Sequence, residues 1–164
     1  MISRFKLSPY VLAASMAVSL AACGSHKEEV QQDLTPAQQM EKLRSEPGVT
    51  VLKDGLAYKV LKSGPKDGEQ PRPGDVMMII YEGRLPDGSI FDSSDQHGDG
   101  AYMQMPLQGL VKGWMEALPM MHVGDTWMLY VPPELGYGHK AMGVIPSDSP
   151  LIFRIQLLGV DHAH

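Results

Sequence analysis

Few side chains in this sequence could break bonds. Its single cysteine, Cys23, can form no internal disulfide and matches no zinc spacing. There is no Gly-x-Ser-x-Gly elbow and no phosphate-binding loop. The histidines His26, His97, His122, His139, His162 and His164 are scattered. Only the last two are close-spaced, and they sit at a chain end, where fraying argues against a metal site. The 12 methionines could suit a soft metal. Yet Met77, Met78, Met103, Met105, Met115 and Met128 lie in apolar runs, where thioethers fill gaps in a core. What remains is Tyr81, Phe91, Asp92, Trp114, Tyr137 and Phe153, an aromatic set punctuated by a few polar groups.

These residues need a frame. The main domain, about Val49 onward, reads as short β-runs: Leu56 to Leu61, Val76 to Tyr81, Asp125 to Val131 and Leu151 to Val160. In the third run Trp127, Leu129 and Val131 share a face. In the fourth, Leu151, Phe153, Ile155 and Leu157 share one, with Arg154 and Gln156 opposite. That alternation marks a half-buried strand. In Leu110 to Leu118 the apolar Leu110, Trp114 and Leu118 recur every fourth residue, which predicts a short helix. Ahead of the domain, Thr35-Pro36-Ala37-Gln38 has the residues of a capping box with proline at the first helical position. Pro47-Gly48 ends that helix, whose apolar face is Ala37, Met40 and Leu43. The expected fold is α+β: an antiparallel, curved sheet wrapped around one short helix, preceded by a short N-terminal helix.

The segment Tyr81 to Ser94, YEGRLPDGSIFDSS, poses a problem of geometry. Pro86-Asp87-Gly88 is turn chemistry between two strands. On the return strand Phe91 stands beside Asp92, and strict alternation sends neighbours to opposite faces. If both point into one site, the strand must bulge between them.

Composition bounds the function. The chain has 164 residues, 43% hydrophobic and 20% charged, as in globular proteins. Its 17 glycines and 13 prolines predict many turns. Net charge is −5 without a Lys/Arg cluster, so no nucleic-acid partner is expected. The N-terminus has a different character. Arg4 and Lys6 precede an apolar run from Tyr10 to Ala22, shorter than the roughly 20 residues that span a bilayer. Residues 1–22 read as an export signal. Leu20-Ala21-Ala22-Cys23 resembles a bacterial lipobox, which implies cleavage before Cys23, its lipidation, and a protein held to a membrane facing the periplasm. Gly24 after it resembles the pattern of outer-membrane lipoproteins. Residues 23–48 then form a tether and the short helix, and 49–164 the domain.

The motifs YEG, DG, FDSS, LVKGW, PPELGYG and IPSDSPLIF occur in this order from about Leu56 to Val160. In that order and spacing the chain resembles FKBP-type peptidyl-prolyl cis-trans isomerases. The resemblance implies a sheet of five or six strands around a short helix, with a pocket between them. It implies catalytic roles for Asp92, Tyr137, Phe91 and Trp114. It places Tyr81, Met103, Leu110, Val111 and Phe153 in the substrate pocket, with the backbone N–H of Ile145 meeting the ligand. No metal or cofactor is implied. Met103 stands where an aromatic is common, Ser147 replaces a second proline, and His139 to Val144 is about one residue short. Expected partners are unfolded or partly folded exported proteins with X-Pro segments, met as a monomer. A chaperone that grips apolar segments through the same pocket, with little catalysis, is the competing class.

Overall fold

The computed structural model describes residues 34–98 and 102–163. These belong to one compact unit, Asp33–His164. The export signal, Cys23 and the start of the tether lie outside the described residues.

Helix α1, Pro36–Arg44, begins with the expected capping box. The Gln38 N–H donates to Thr35 Oγ1 at 3.3 Å, and the Thr35 N–H donates to Gln38 Oε1 at 2.9 Å. Seven strands follow: β1 Val49–Val51, β2 Ala57–Lys62, β3 Val76–Arg84, β4 Ile90–Ser93, β5 Met103–Pro106, β6 Thr126–Val131 and β7 Leu151–Asp161. All described pairings are antiparallel, in the order β1-β2-β6-β7-β3-β4. Strand β5 pairs with the first half of β3. The short β1 and β5 bring the count to seven where five or six were expected.

The central strands are buried on both faces, which simple alternation does not anticipate. On the inner face Leu129, Val131, Leu151, Phe153, Ile155 and Leu157 pack in the main core. On the outer face α1 lays Met40 over Ala57, Tyr130 and Ile152. That contact explains why Tyr130 is buried between two inward-facing neighbours. It also gives α1, too short to be stable alone, a surface to fold against.

Helix α2 covers the inner face but is shorter than expected, Lys112–Ala117, followed by a 3-10 turn Leu118–Met120. Val111 is extended, with φ −56° and ψ 144°, so Leu110 and Val111 precede the helix. Gly113 lets α2 approach the sheet closely, since a Cβ there would stand 2.9 Å from Val131 Cγ1.

The far end of β7 is tied to the start of β3. Asp75, 4% exposed, accepts hydrogen bonds from the Arg72 N–H (2.8 Å) and Ala163 N–H (3.1 Å), and His162 Nδ1 lies 2.8 Å from it. Burial pushes the Asp75 carboxyl up, but the N–H donors and His162 outweigh it and hold it below its usual range. A depressed carboxyl stabilises the fold above the unfolded value, near pH ~4, and that contribution is lost as pH falls through the folded value. Asp75→Asn should therefore lower the melting temperature by a few degrees at neutral pH, with the gap to the native protein closing in acid. Scanning calorimetry at several pH values checks this.

Candidate active site

Strand β3 carries Tyr81 toward α2, and the hairpin beyond it returns the chain to the same place. In the turn the Leu85 N–H donates to the Ser89 carbonyl at 2.9 Å, and Gly88 takes φ 87°. The β3–β4 register then slips by one. Gly83 pairs with Asp92 and Arg84 with Ile90, so Phe91 is the extra residue of a bulge. The bulge turns both Phe91 and Asp92 toward a cavity of about 220 Å³.

Ten residues line that cavity: Tyr81, Phe91, Asp92, Met105, Gly109, Leu110, Val111, Trp114, Tyr137 and Phe153. Its rings interlock edge to face. Trp114 meets Tyr81 at 5.3 Å and Phe153 at 5.1 Å between centroids, and Phe153 meets Phe91 at 5.6 Å. Such pairs contribute roughly 0.5–1.5 kcal/mol each beyond area burial. They leave the walls little freedom to collapse.

The polar groups are few and held. The Tyr81 hydroxyl donates to Asp92 Oδ2 at 2.7 Å. Burial, then the hydrogen bond to Asp92 and its charge, push the Tyr81 phenol well above its usual range, so it stays a donor at physiological pH. The buried Ser94 accepts from the Tyr81 N–H and donates to the Tyr81 carbonyl, both at 3.3 Å. At the floor, Trp114 Nε1 is buried without an acceptor. Among the described residues no backbone carbonyl accepts the Val111 N–H, at the start of α2.

Of the ten pocket residues expected from the sequence, eight line the cavity and two do not. Met103 and Met105 both pack against the core, but Met105 is the one in the cavity wall. The two share a face of β5, Met103 opposite Ile79 and Met105 opposite Met77. Ile145 is buried in the core, but its N–H donates to the Met142 carbonyl at 2.9 Å. The Met142 N–H returns to the Ile145 carbonyl, which closes a tight turn over Gly143 (φ 57°) and Val144. The Ile145 N–H is thus spent on this turn, as the shortened segment before it demands.

Sequence reasoning missed Gly83, Ser94, His97 and Met105. Gly83 is essential to the bulge: a Cβ there would stand 2.6 Å from Phe91 Cζ and 3.0 Å from Phe153 Cε1. Its signal was visible, a glycine inside an otherwise apolar strand, where close approach by other atoms is common. His97 Nε2 lies 2.7 Å from Asp92 Oδ1, five residues back in sequence.

An apolar ring-lined cleft with one carboxylate, on a sheet curved over a short helix, has the make-up of a site for a compact apolar group. The comparisons narrow that class. Residues 67–158 match the family described as FKBP-type peptidyl-prolyl cis-trans isomerase. The chain is 45% identical over 118 residues to the peptidyl-prolyl cis-trans isomerase Mip of Coxiella burnetii, covering 71% of this chain and 50% of that protein. It is 39% identical over 121 residues to the outer membrane protein MIP of Legionella longbeachae, covering 73% and 50%. The crystal structure of FkpA from Escherichia coli superposes with a TM-score of 0.72 at 36% identity, over 79% of this chain and 59% of that one. The chain belongs to the FKBP-type peptidyl-prolyl cis-trans isomerase family. It spans about half the length of the Mip proteins it matches.

Gly83→Ala tests the bulge. The added methyl should displace Phe91 and cost about 1–3 kcal/mol by overpacking. Denaturant titration reads the loss, and weakened binding of prolyl peptides should accompany it.

Proposed function

We propose that the protein catalyses cis–trans isomerisation of X-Pro bonds in exported proteins. The observation that carries this reading is the bulge that brings Phe91 and Asp92, neighbours in sequence, to one aromatic cavity. Family membership supports it from a second side.

The chemistry asks for little else. Rotation about an X-Pro bond meets a barrier of roughly 18–20 kcal/mol, because resonance keeps the amide planar. At the twisted transition state that resonance is lost and the carbonyl is less polarised. A cavity that strips water from the amide therefore penalises the planar ground state more than the twisted one. No bond breaks, so no nucleophile is needed. Trp114, Phe153, Tyr81, Phe91 and Val111 hold the prolyl ring. Tyr137 positions a neighbouring carbonyl through its O–H. Asp92, fixed by Tyr81, faces the carbonyl region. The Val111 N–H, rather than that of Ile145, is the backbone donor at hand for substrate. These contacts act by orientation and differential binding.

The protein is further proposed to work at a membrane surface facing the periplasm, held by lipid on Cys23, with the outer membrane favoured by Gly24. The sequence Leu20-Ala21-Ala22-Cys23 supports this, as does the likeness to the outer membrane protein MIP of Legionella longbeachae. A monomer fits the single short helix, α1, ahead of the domain, which is occupied with covering the outer face of the sheet.

An exchange assay on X-Pro peptides with residues 24–164 tests the activity; a rate equal to that of buffer alone at micromolar protein sinks it. Phe91→Ala and Asp92→Leu should each lower kcat/KM by about tenfold, or roughly 1.4 kcal/mol of transition-state stabilisation, with circular dichroism unchanged. For the anchor, Cys23→Ser in the full chain should move the protein from the membrane to the soluble fraction. Retention in the membrane would refute lipid attachment at that residue.

A further inference from the structure

The Asp92 carboxylate is gripped on both oxygens. Tyr81 donates to Oδ2 at 2.7 Å, and His97 Nε2 stands 2.7 Å from Oδ1. The second grip is built by local folding. Strand β4 ends at Ser93, and Ser94–His97 form a single 3-10 turn. Ser94, 2% exposed, bonds both backbone groups of Tyr81 and so anchors the turn to β3. The turn then swings His97 back over Asp92. The contact exists only because the bulge first aims Asp92 inward and the turn then folds the chain on itself.

We infer that His97 is a positioning residue: it orients Asp92, and through Asp92 the Tyr81 hydroxyl. This rests on the isomerase reading. A carboxylate bonded on one oxygen alone is free to turn about its terminal torsion, which is broad. With the second oxygen held, the carboxylate plane is set and the Tyr81 O–H points one way. The imidazole supplies that second hold, with Nε2 2.7 Å from Oδ1.

The charged and titratable surroundings are simple. Among the described residues His97 is ion-paired to Asp92 of β4 and to no other group. Tyr81 of β3 is reached only through Asp92, and Asp95 lies two residues back in the turn itself. The His97 side chain is 45% exposed, so solvent screens the pair and the expected effect is modest.

The test is a double-mutant cycle in the peptide exchange assay. His97→Leu should lower kcat/KM by about threefold, carried by kcat, with an unchanged melting temperature. His97→Arg should restore the native value, because a guanidinium also donates to a carboxylate oxygen. In an Asp92→Asn background His97→Leu should change nothing further. Equal activity of native and His97→Leu protein, losses that multiply in the double variant, or an Arg variant as slow as His97→Leu would each overturn the inference. A second readout needs no catalysis. The NMR resonance of the Tyr81 hydroxyl proton, which reports its bond to Asp92, should shift in His97→Leu and be restored in His97→Arg. If the native protein shows no exchange at all, the isomerase reading falls, and this resonance alone decides the positioning role; an unmoved resonance refutes it.

Discussion

Everything at the site depends on one extra residue in a strand pair. Strand β3 buries every second residue, and β4 has to run beside it while sending two successive side chains into the same cavity. Adjacent residues of a regular strand cannot do this. The slip at Phe91 resolves the conflict, and it is possible only because the partner position, Gly83, carries no Cβ. The ring of Phe91 occupies the space that a side chain at Gly83 would fill, and there it meets Phe153 edge-on. The missing side chain on one strand and the added residue on the other are two halves of one device.

A cavity lined by aromatic rings is at risk of closing on itself, because apolar walls gain by contact. Here the walls are fixed from behind. Trp114 sits on α2, which Gly113 brings close against Val131, and Phe153 and Tyr81 lie on β7 and β3, the longest paired strands. The outer face of the same sheet is closed by α1 through Met40, Tyr130 and Ile152. Burial on both faces stiffens the start of β7, which carries Phe153. The rings interlock at right angles and so brace one another at a distance that leaves the cavity open. The short N-terminal helix, far from the chemistry in sequence, thereby supports the rigidity of the site.

Where the sequence spoke clearly, a local rule was at work. The capping box at Thr35, the turn at Pro86-Asp87-Gly88 and the alternation of β7 each depend on residues within a few positions of one another. The Phe91–Asp92 adjacency was legible for the same reason, as a breach of such a rule. What escaped was set by contacts across the fold. Tyr130 and Ile152 are buried because α1 packs over them, which no pattern within β6 or β7 reveals. The start of α2 was drawn too early because Leu110 fits the helical period, whereas the extended backbone at Val111 decides the boundary. Met103 and Met105 are equivalent by alternation, and only the position of β5 along β3 sets which of them lines the cavity. His97 looked like one scattered histidine because its partner is brought to it by a turn that no periodicity marks.

The polar bookkeeping of the cavity decides what it can recognise. Asp92 is the one carboxylate in its lining, and both its oxygens already have partners within the protein. Among the described residues two donors of the lining lack an acceptor: the Trp114 indole N–H at the floor and, among backbone carbonyls, the Val111 N–H at the start of α2. Idle donors in an apolar cavity favour a ligand that brings carbonyl oxygens and, beside its apolar ring, no N–H. That is the character of the amide preceding proline, whose nitrogen carries no hydrogen. An N–H left unpaired in an apolar cavity costs roughly 1–3 kcal/mol. On the proposed isomerase reading, a preference for proline would come from that penalty as well as from the fit of the ring.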